Sequence, residues 1–398
     1  MADESFTQAV PAFEIATRLD RLQSRLREAE IDAAVIVQTA DLYYLSGTAQ
    51  AGHLVVPAQG ESVLLVRRTL ERAQVESPLE KITQMGSLRE LAPALAEAGV
   101  SSGRIGLELD VLPAARYLDY TRRLSAYDIT DCSEQLRALR AVKSAWEIDR
   151  IRDAAAMISG IAEHMHAVFR GGMTEIELAA EIEYWVRMAG HQGQLRMRAF
   201  NGDLHYGTVT AGPASALPGG TDTPLVGLGV NPYIGKGPSS RQITAGMPIV
   251  VDLVGSSLGY IADQTRCFSA GVLATRLLDA YELSCEIVAA VSQAARPGRT
   301  GSELYELALG MTGELAPQCA SGTRVSFIAH GFGLELDEPP FFARAWDHPL
   351  EEGMVFALEP KFVFPGEGAV GLENSYVVGA RGGECLTTAP EELIALSL

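Results

Sequence analysis

Residues 248–271 constrain this chain more than any other segment. They read Pro-Ile-Val-Val-Asp-Leu-Val-Gly-Ser-Ser-Leu-Gly-Tyr-Ile-Ala-Asp-Gln-Thr-Arg-Cys-Phe-Ser-Ala-Gly. Two runs rich in β-branched and aromatic residues flank a turn at 255–259, which is the pattern of a hairpin. Counted outward from that turn, Asp252 and Asp263 fall opposite or nearly opposite each other. Like charges facing across paired strands are destabilising. A metal ion between them removes the repulsion.

The C-terminal end repeats the arrangement. Glu359 and Glu373 each lie seven residues from Gly366, so a second hairpin presents a second carboxylate pair. Between the two hairpins stands Ala329-His330-Gly331-Phe332-Gly333, a histidine whose small neighbours permit close backbone approach. Four carboxylates and an imidazole in strand contexts make an oxygen-rich set suited to two divalent ions. Such acidic residues among apolar strand positions are poor candidates for plain surface charge, because buried charges require partners.

These residues carry a resemblance. Asp252, then Gly259-Tyr260-x-x-Asp263-x-Thr265-Arg266, then His330-Gly331-x-Gly333, Leu358-Glu359-Pro360 and Glu373-Asn374, resemble the pita-bread metallopeptidases. The similarity runs from about Ser144 to the C-terminus and points to the Xaa-Pro aminopeptidase, prolidase and creatinase branch. It implies an α+β protein: a pita-bread catalytic domain over 144–398 and a smaller creatinase-like α/β domain over 1–143. It further implies hydrolysis that removes the N-terminal residue of an Xaa-Pro-type peptide, with two ions (Mn, Fe, Co or Zn) activating a water. By position, Asp252 and Asp263 hold the first ion. Asp263, His330, Glu359 and Glu373 surround the second, Glu359 also shuttles a proton to the leaving amine, and Thr265 and Tyr260 orient the carboxylates.

Two positions depart from the family pattern. A Pro-His step ahead of the metal hairpin is here Pro218-Gly219, and a His-Glu-x-Pro segment is here Asp337-Glu338-Pro339-Pro340. Both family histidines contact the substrate carbonyl; Gly219 has no side chain, and Asp337 offers an acceptor in place of a donor. Three readings follow. The chain is a peptidase with other donors, such as His205, Tyr206 or Tyr233; or a lyase or small-molecule hydrolase with Asp337 as base; or a binding protein on the same fold.

Alternating helices and strands before residue 140 suggest a separate α/β domain: a helix over 17–29, strands at 33–37, 54–57, 62–66 and 104–109, helices at 88–98 and 114–124. No glycine-rich loop follows a strand there, so nothing supports a nucleotide role. In the second domain, Arg170-Gly-Gly-Met-Thr174-Glu-Ile-Glu177 recurs as Arg296-Pro-Gly-Arg-Thr300-Gly-Ser-Glu303. Each copy is a helix start with a capping box and each follows a predicted helix, over 144–169 and 275–295. The spacing therefore predicts two related halves with a cleft at their join.

A net charge of -18 argues against nucleic acid or an anionic membrane as partner. Five scattered cysteines and an N-terminus without a basic or apolar run predict a cytoplasmic protein. A homodimer acting on a peptide or small molecule is expected.

Overall fold

The computed structural model describes residues 9–397 apart from 199, 201, 203 and 221. Residues 1–8 and 398 and the four internal positions lie outside the described residues. The chain divides into two units, Met1–Arg140 with Arg198–Asn201, and Ala141–Met197 with Gly202–Leu398.

In the first unit, α1 (Ala12–Glu28) buries Ile15, Leu22 and Leu26, which recur at helical spacing. Four apolar residues make β1 (Ala33–Ile36) a fully buried strand. It is followed by α2 (Thr39–Ser46), β2 (Gly52–Pro57), β3 (Val63–Val66), α3 (Leu70–Glu76) and β4 (Ile82–Gln84). Then come α4 (Leu91–Glu97), β5 (Gly103–Leu107), α5 (Ala114–Arg123), β6 (Tyr127–Asp131) and α6 (Ser133–Ala141). The sheet order is β4-β3-β2-β1-β5-β6, antiparallel around β2 and parallel elsewhere. Arg198 belongs to this unit through ion pairs to Asp110 (2.7 Å) and Asp41 (2.5 Å).

The second unit opens with α7 (Ala145–Ile158), capped by Ser144 and Glu147 as the sequence predicts. The expected single helix over 144–169 is broken. Ser159 turns its hydroxyl back to the Ala156 carbonyl, and Gly160 leaves helical geometry before α8 (Ile161–Val168) resumes. Glycine is the costliest residue here after proline, so the break falls there. The repeat proves structural. Both α9 (Glu175–Met188) and, after α10 (Thr275–Ala294), α11 (Gly301–Met311) start with a complete threonine–glutamate capping box. Thr174 bridges Gln242 and Thr300 bridges Pro349, antiparallel in both cases.

Strand β8 (Pro248–Ser257) pairs with β7 (Gly207–Ala211) and with β9 (Tyr260–Ala270). The turn between β8 and β9 has positive φ at Leu258 (49°) and Gly259 (86°), the type I′ geometry that matches strand twist. In this register Asp252 faces Thr265 and Asp263 faces Val254, so the aspartates are diagonal neighbours on one face.

The second sheet contains β10 (Phe327–Phe332), β11 (Leu336–Ala343) and β12 (Val355–Leu358). The chain then forms β13 (Lys361–Phe364) and β14 (Gly368–Gly371) before β15 (Asn374–Gly379) and β16 (Gly382–Cys385). The sheet order is β11-β10-β12-β15-β16, and β17 (Ile394–Leu396) joins β9 to complete β17-β9-β8-β7. One apolar cluster centres on Ile158, Leu178, Ile182 and Val251, another on Val288, Leu304, Phe342 and Phe356, one for each half. Among the described residues no helix is long and apolar enough to cross a membrane.

Leu258 holds the left-handed conformation without the freedom of glycine or the local hydrogen bonding of asparagine, at a cost of about 1–2 kcal/mol. Leu258→Asn is therefore expected to raise unfolding stability by about 1 kcal/mol. Chemical denaturation of the two proteins under one condition checks this; an unchanged or lower midpoint contradicts it.

Candidate metal centre

The site is built where the second hairpin is interrupted. Strands β12 and β15 pair through Leu358 and Asn374, while β13 and β14 pair through Lys361 and Gly371. Carrying the first ladder one step past Leu358 sets Glu359 opposite Glu373, and the same register continues into the second. At that step the two backbones turn to other partners: the Glu359 amide donates to Ile328 (3.0 Å) and the Glu373 amide to Thr265 (3.3 Å). The two glutamates thus stand where β10 and β9 converge on the split hairpin.

The remaining groups arrive from those strands. His330 on β10 is buried. Its neighbour Gly331 lies so close to β11 that a Cβ would stand 2.4 Å from the Glu338 carbonyl oxygen. His330 Nε2 faces Glu359 Oε1 (3.6 Å), Asp263 Oδ2 (3.9 Å) and Glu373 Oε1 (3.9 Å). The other Asp263 oxygen accepts from the Gln264 amide (2.9 Å), which fixes the rotamer. Ligand atoms of Asp263, His330 and Glu373 lie within 4.8 Å of one another, an arrangement able to hold one cation.

Sequence reasoning missed Lys361. It follows Glu359 by two residues, which in a strand places it on the same face. Its ammonium lies 2.7 Å from Glu359 Oε2, 2.8 Å from Glu373 Oε2 and 3.5 Å from Asp252 Oδ2, with a side chain only 1% exposed. The signal was present, since a lysine within Glu-Pro-Lys-Phe-Val-Phe has no polar stretch in which to be solvated.

The charges shift one another strongly. Burial pushes Asp263 far above the usual carboxylate range, with Glu373 and Asp252 adding to it. Burial also raises Asp252, and lifts Glu359 to about 7, in both cases against the pull of Lys361. For Glu373 burial is outweighed by Lys361, His330 and the Thr265 hydroxyl, so this carboxyl is held below its ordinary value. Burial opposes charge on Lys361, yet the three carboxylates hold its pKa well above that of a free lysine.

The predicted orienting residues divide. Thr265 Oγ1 donates to Glu373 Oε2 (2.6 Å), as expected. The Tyr260 hydroxyl donates to Glu147 (2.9 Å), which ties the hairpin to α7. Asp337 sits behind His330, with Oδ1 3.5 Å from Nδ1 and φ of 61°. Burial raises its pKa, His330 opposes that, and Asp222 adds to it. His205 is not brought to the cluster: its exposed ring packs edge-on against Tyr206 and faces Glu183 at 3.7 Å. Tyr233 is fully exposed on its loop. At Gly219 a Cβ would stand 2.3 Å from Val226 Cγ1, so the place of an imidazole is filled by an apolar side chain.

A cleft of about 440 Å³ opens beside Asp337, walled by Phe327, Phe341 and Trp346 with Asp222 and Arg344 among its polar groups. Phe327 also meets the His330 ring edge-on, at 5.9 Å between centroids. The cleft and the carboxylate cluster are thus joined through Asp337 and His330.

The chain is similar to known proteins along nearly its whole length. Residues 149–380 match the model of metallopeptidase family M24, and residues 18–142 match the creatinase/prolidase N-terminal domain. The chain is 26% identical to an uncharacterised peptidase of Bacillus subtilis, over 95% of this chain and 100% of that one. It is 25% identical to an Xaa-Pro dipeptidase of Pyrococcus furiosus, covering 95% and 99% respectively. The solved Xaa-Pro dipeptidase from Bacillus anthracis superposes with a TM-score of 0.82 at 25% identity, over 96% of this chain and 100% of that one. The fold expected from the sequence, a pita-bread domain behind a creatinase-like domain, is borne out.

The Thr265 hydroxyl fixes one oxygen of Glu373 and so the direction of the other. Thr265→Val is expected to weaken divalent-ion affinity by about 10–100-fold while the fold persists. Calorimetric titration with Mn(II), alongside an unchanged far-UV circular dichroism spectrum, checks this.

Proposed function

The chain belongs to metallopeptidase family M24, and from that premise we propose that it is a metal-dependent hydrolase of Xaa-Pro-type peptides. The observation that carries this reading is the convergence of Asp263, His330, Glu359 and Glu373 beside a cleft of small-peptide size. The donor set fits a divalent ion: three carboxylate oxygens and one imidazole nitrogen, mutually oriented and buried. A divalent ion bound there supplies Lewis acidity, polarising a carbonyl oxygen and activating water.

The chain's own residues do the rest. Glu359 has one oxygen on the ion side and is the group placed to pass a proton to a departing amine. His330 Nδ1 meets the Gly331 carbonyl (3.4 Å) and faces Asp337 Oδ1 (3.5 Å), and partners on the far ring nitrogen set orientation and tautomer in metal-binding histidines. Phe327, Phe341 and Trp346 offer apolar walls to a proline ring or a side chain. The metal remains one of Mn, Fe, Co or Zn, since carboxylate-rich sites accept each.

One observation favours a second reading. With Val226 filling the place at Gly219 and an acceptor at Asp337, both positions that would donate to a substrate oxyanion lack a donor. Loss of one such donor costs about 10²–10³ in rate. Asp337 also lines the cleft, where a carboxylate is able to take a proton from a small substrate. In that case the enzyme is a lyase or small-molecule hydrolase with Asp337 as base.

The deciding experiment assays metal-loaded protein on Xaa-Pro dipeptides and on other small substrates, with Asp263→Ala and Asp337→Ala beside it. Under the peptidase reading, Xaa-Pro cleavage is weak, is abolished by Asp263→Ala, and survives Asp337→Ala once metal is saturating. Cleavage untouched by chelation overturns the metal-dependent reading. Turnover lost in a fully metal-loaded Asp337→Ala protein transfers the function to the second reading.

A further inference from the structure

We propose that the Lys361 ammonium takes the place of one of the two metal ions, so that this chain binds a single divalent ion beside a built-in organic cation. The inference rests on the metal-dependent reading above and concerns how many ions that site admits.

The carboxylate oxygens are already divided between two positions. Glu359 and Glu373 each turn Oε1 toward His330, where Asp263 Oδ2 joins them. Each turns Oε2 toward Lys361, where Asp252 Oδ2 joins them. The glutamates therefore bridge two centres, as carboxylates do in a two-ion site, but one centre is an ammonium nitrogen. Ions in paired sites stand about 3.5–4 Å apart and each takes its own set of oxygens. The oxygens within reach of Asp252 are those that hold Lys361, so a second ion there would have to displace it.

Displacement is opposed on two counts. The lysine side chain is 1% exposed, and an ammonium moved out of its carboxylate contacts into the surrounding core would be a buried, unpaired charge. The strand opposite also packs closely: Gly371 pairs directly with Lys361, and a Cβ there would lie 2.6 Å from the Pro360 carbonyl oxygen, 2.8 Å from Lys361 Cα and 2.9 Å from its Cγ, so the stem has little room to swing toward that strand.

The test is a count of ions. Full-length protein is saturated with Mn(II), freed of excess by gel filtration, and measured by inductively coupled plasma mass spectrometry and by electron paramagnetic resonance. One equivalent per chain with an isolated-ion spectrum is expected for the wild type. Lys361→Ala, which opens the space, should take up two equivalents and show exchange coupling; Lys361→Met, which keeps the stem without the charge, should stay at one. Asp252→Asn should also retain one, because Asp252 faces the lysine. Two equivalents in the wild type overturn this inference and leave the proposed function standing. A folded Lys361→Ala protein that remains at one equivalent overturns it too. No bound metal in the wild type overturns the metal-dependent function, and this inference falls with it. The wild-type count decides the matter even if Lys361→Ala does not fold.

Discussion

Burying four carboxylates within reach of one another is the constraint on which the rest of the second unit depends. Ionised carboxylates inside a protein are tolerated only with cations and hydrogen-bond donors close by. Each neighbouring element supplies some. Lys361 gives a full positive charge, Thr265 and the Gln264 amide give donors, and the cluster at His330 leaves room for a cation. Removing one partner from such a set typically costs about 3–5 kcal/mol, because the charges left behind stay buried.

The backbone arrangement follows from that need. The hairpin ladder is interrupted at Glu359 and Glu373, and β10 and β9 bond to the freed amides, which brings those two strands to the paired carboxylates. Arg266 then secures the junction. Its buried guanidinium donates to the Thr265 and Glu373 carbonyls and to the Asn374 side chain, tying β9 to the start of β15. The diagonal placement of Asp252 and Asp263, set by the tight turn at Leu258 and Gly259, brings the first pair to the same spot from the other half.

Much of this was legible in the sequence because it depends on local rules. The hairpin at 248–271 and the capping boxes at Thr174 and Thr300 need only turn chemistry, strand period and spacing, while the grouping of Asp263, His330, Glu359 and Glu373 was implied by the family resemblance. What was missed has separate causes. The break at Gly160 weighs one glycine against an otherwise helical pattern. The partner of Tyr260 is Glu147, more than a hundred residues away. Lys361 was overlooked for a different reason: attention to metal-ligating residue types passes over an ammonium, although a lysine among buried strand residues always requires a partner.

Lys361, Gly219 and Asp337 together shift where positive charge and hydrogen-bond donors stand. On the substrate side two donor positions are lost, one to the packing of Val226 and one to a carboxylate that turns instead to His330. On the carboxylate side an ammonium is gained, held by three acidic groups. The ammonium cannot stand in for the lost donors, because Glu359 and Glu373 hold it and these are the same groups that orient the ion position. Restoring one imidazole at position 337 would leave the carboxylates as they are and the place beside Val226 still filled. The three positions are coupled through shared partners, and their effects on turnover should not add as independent terms.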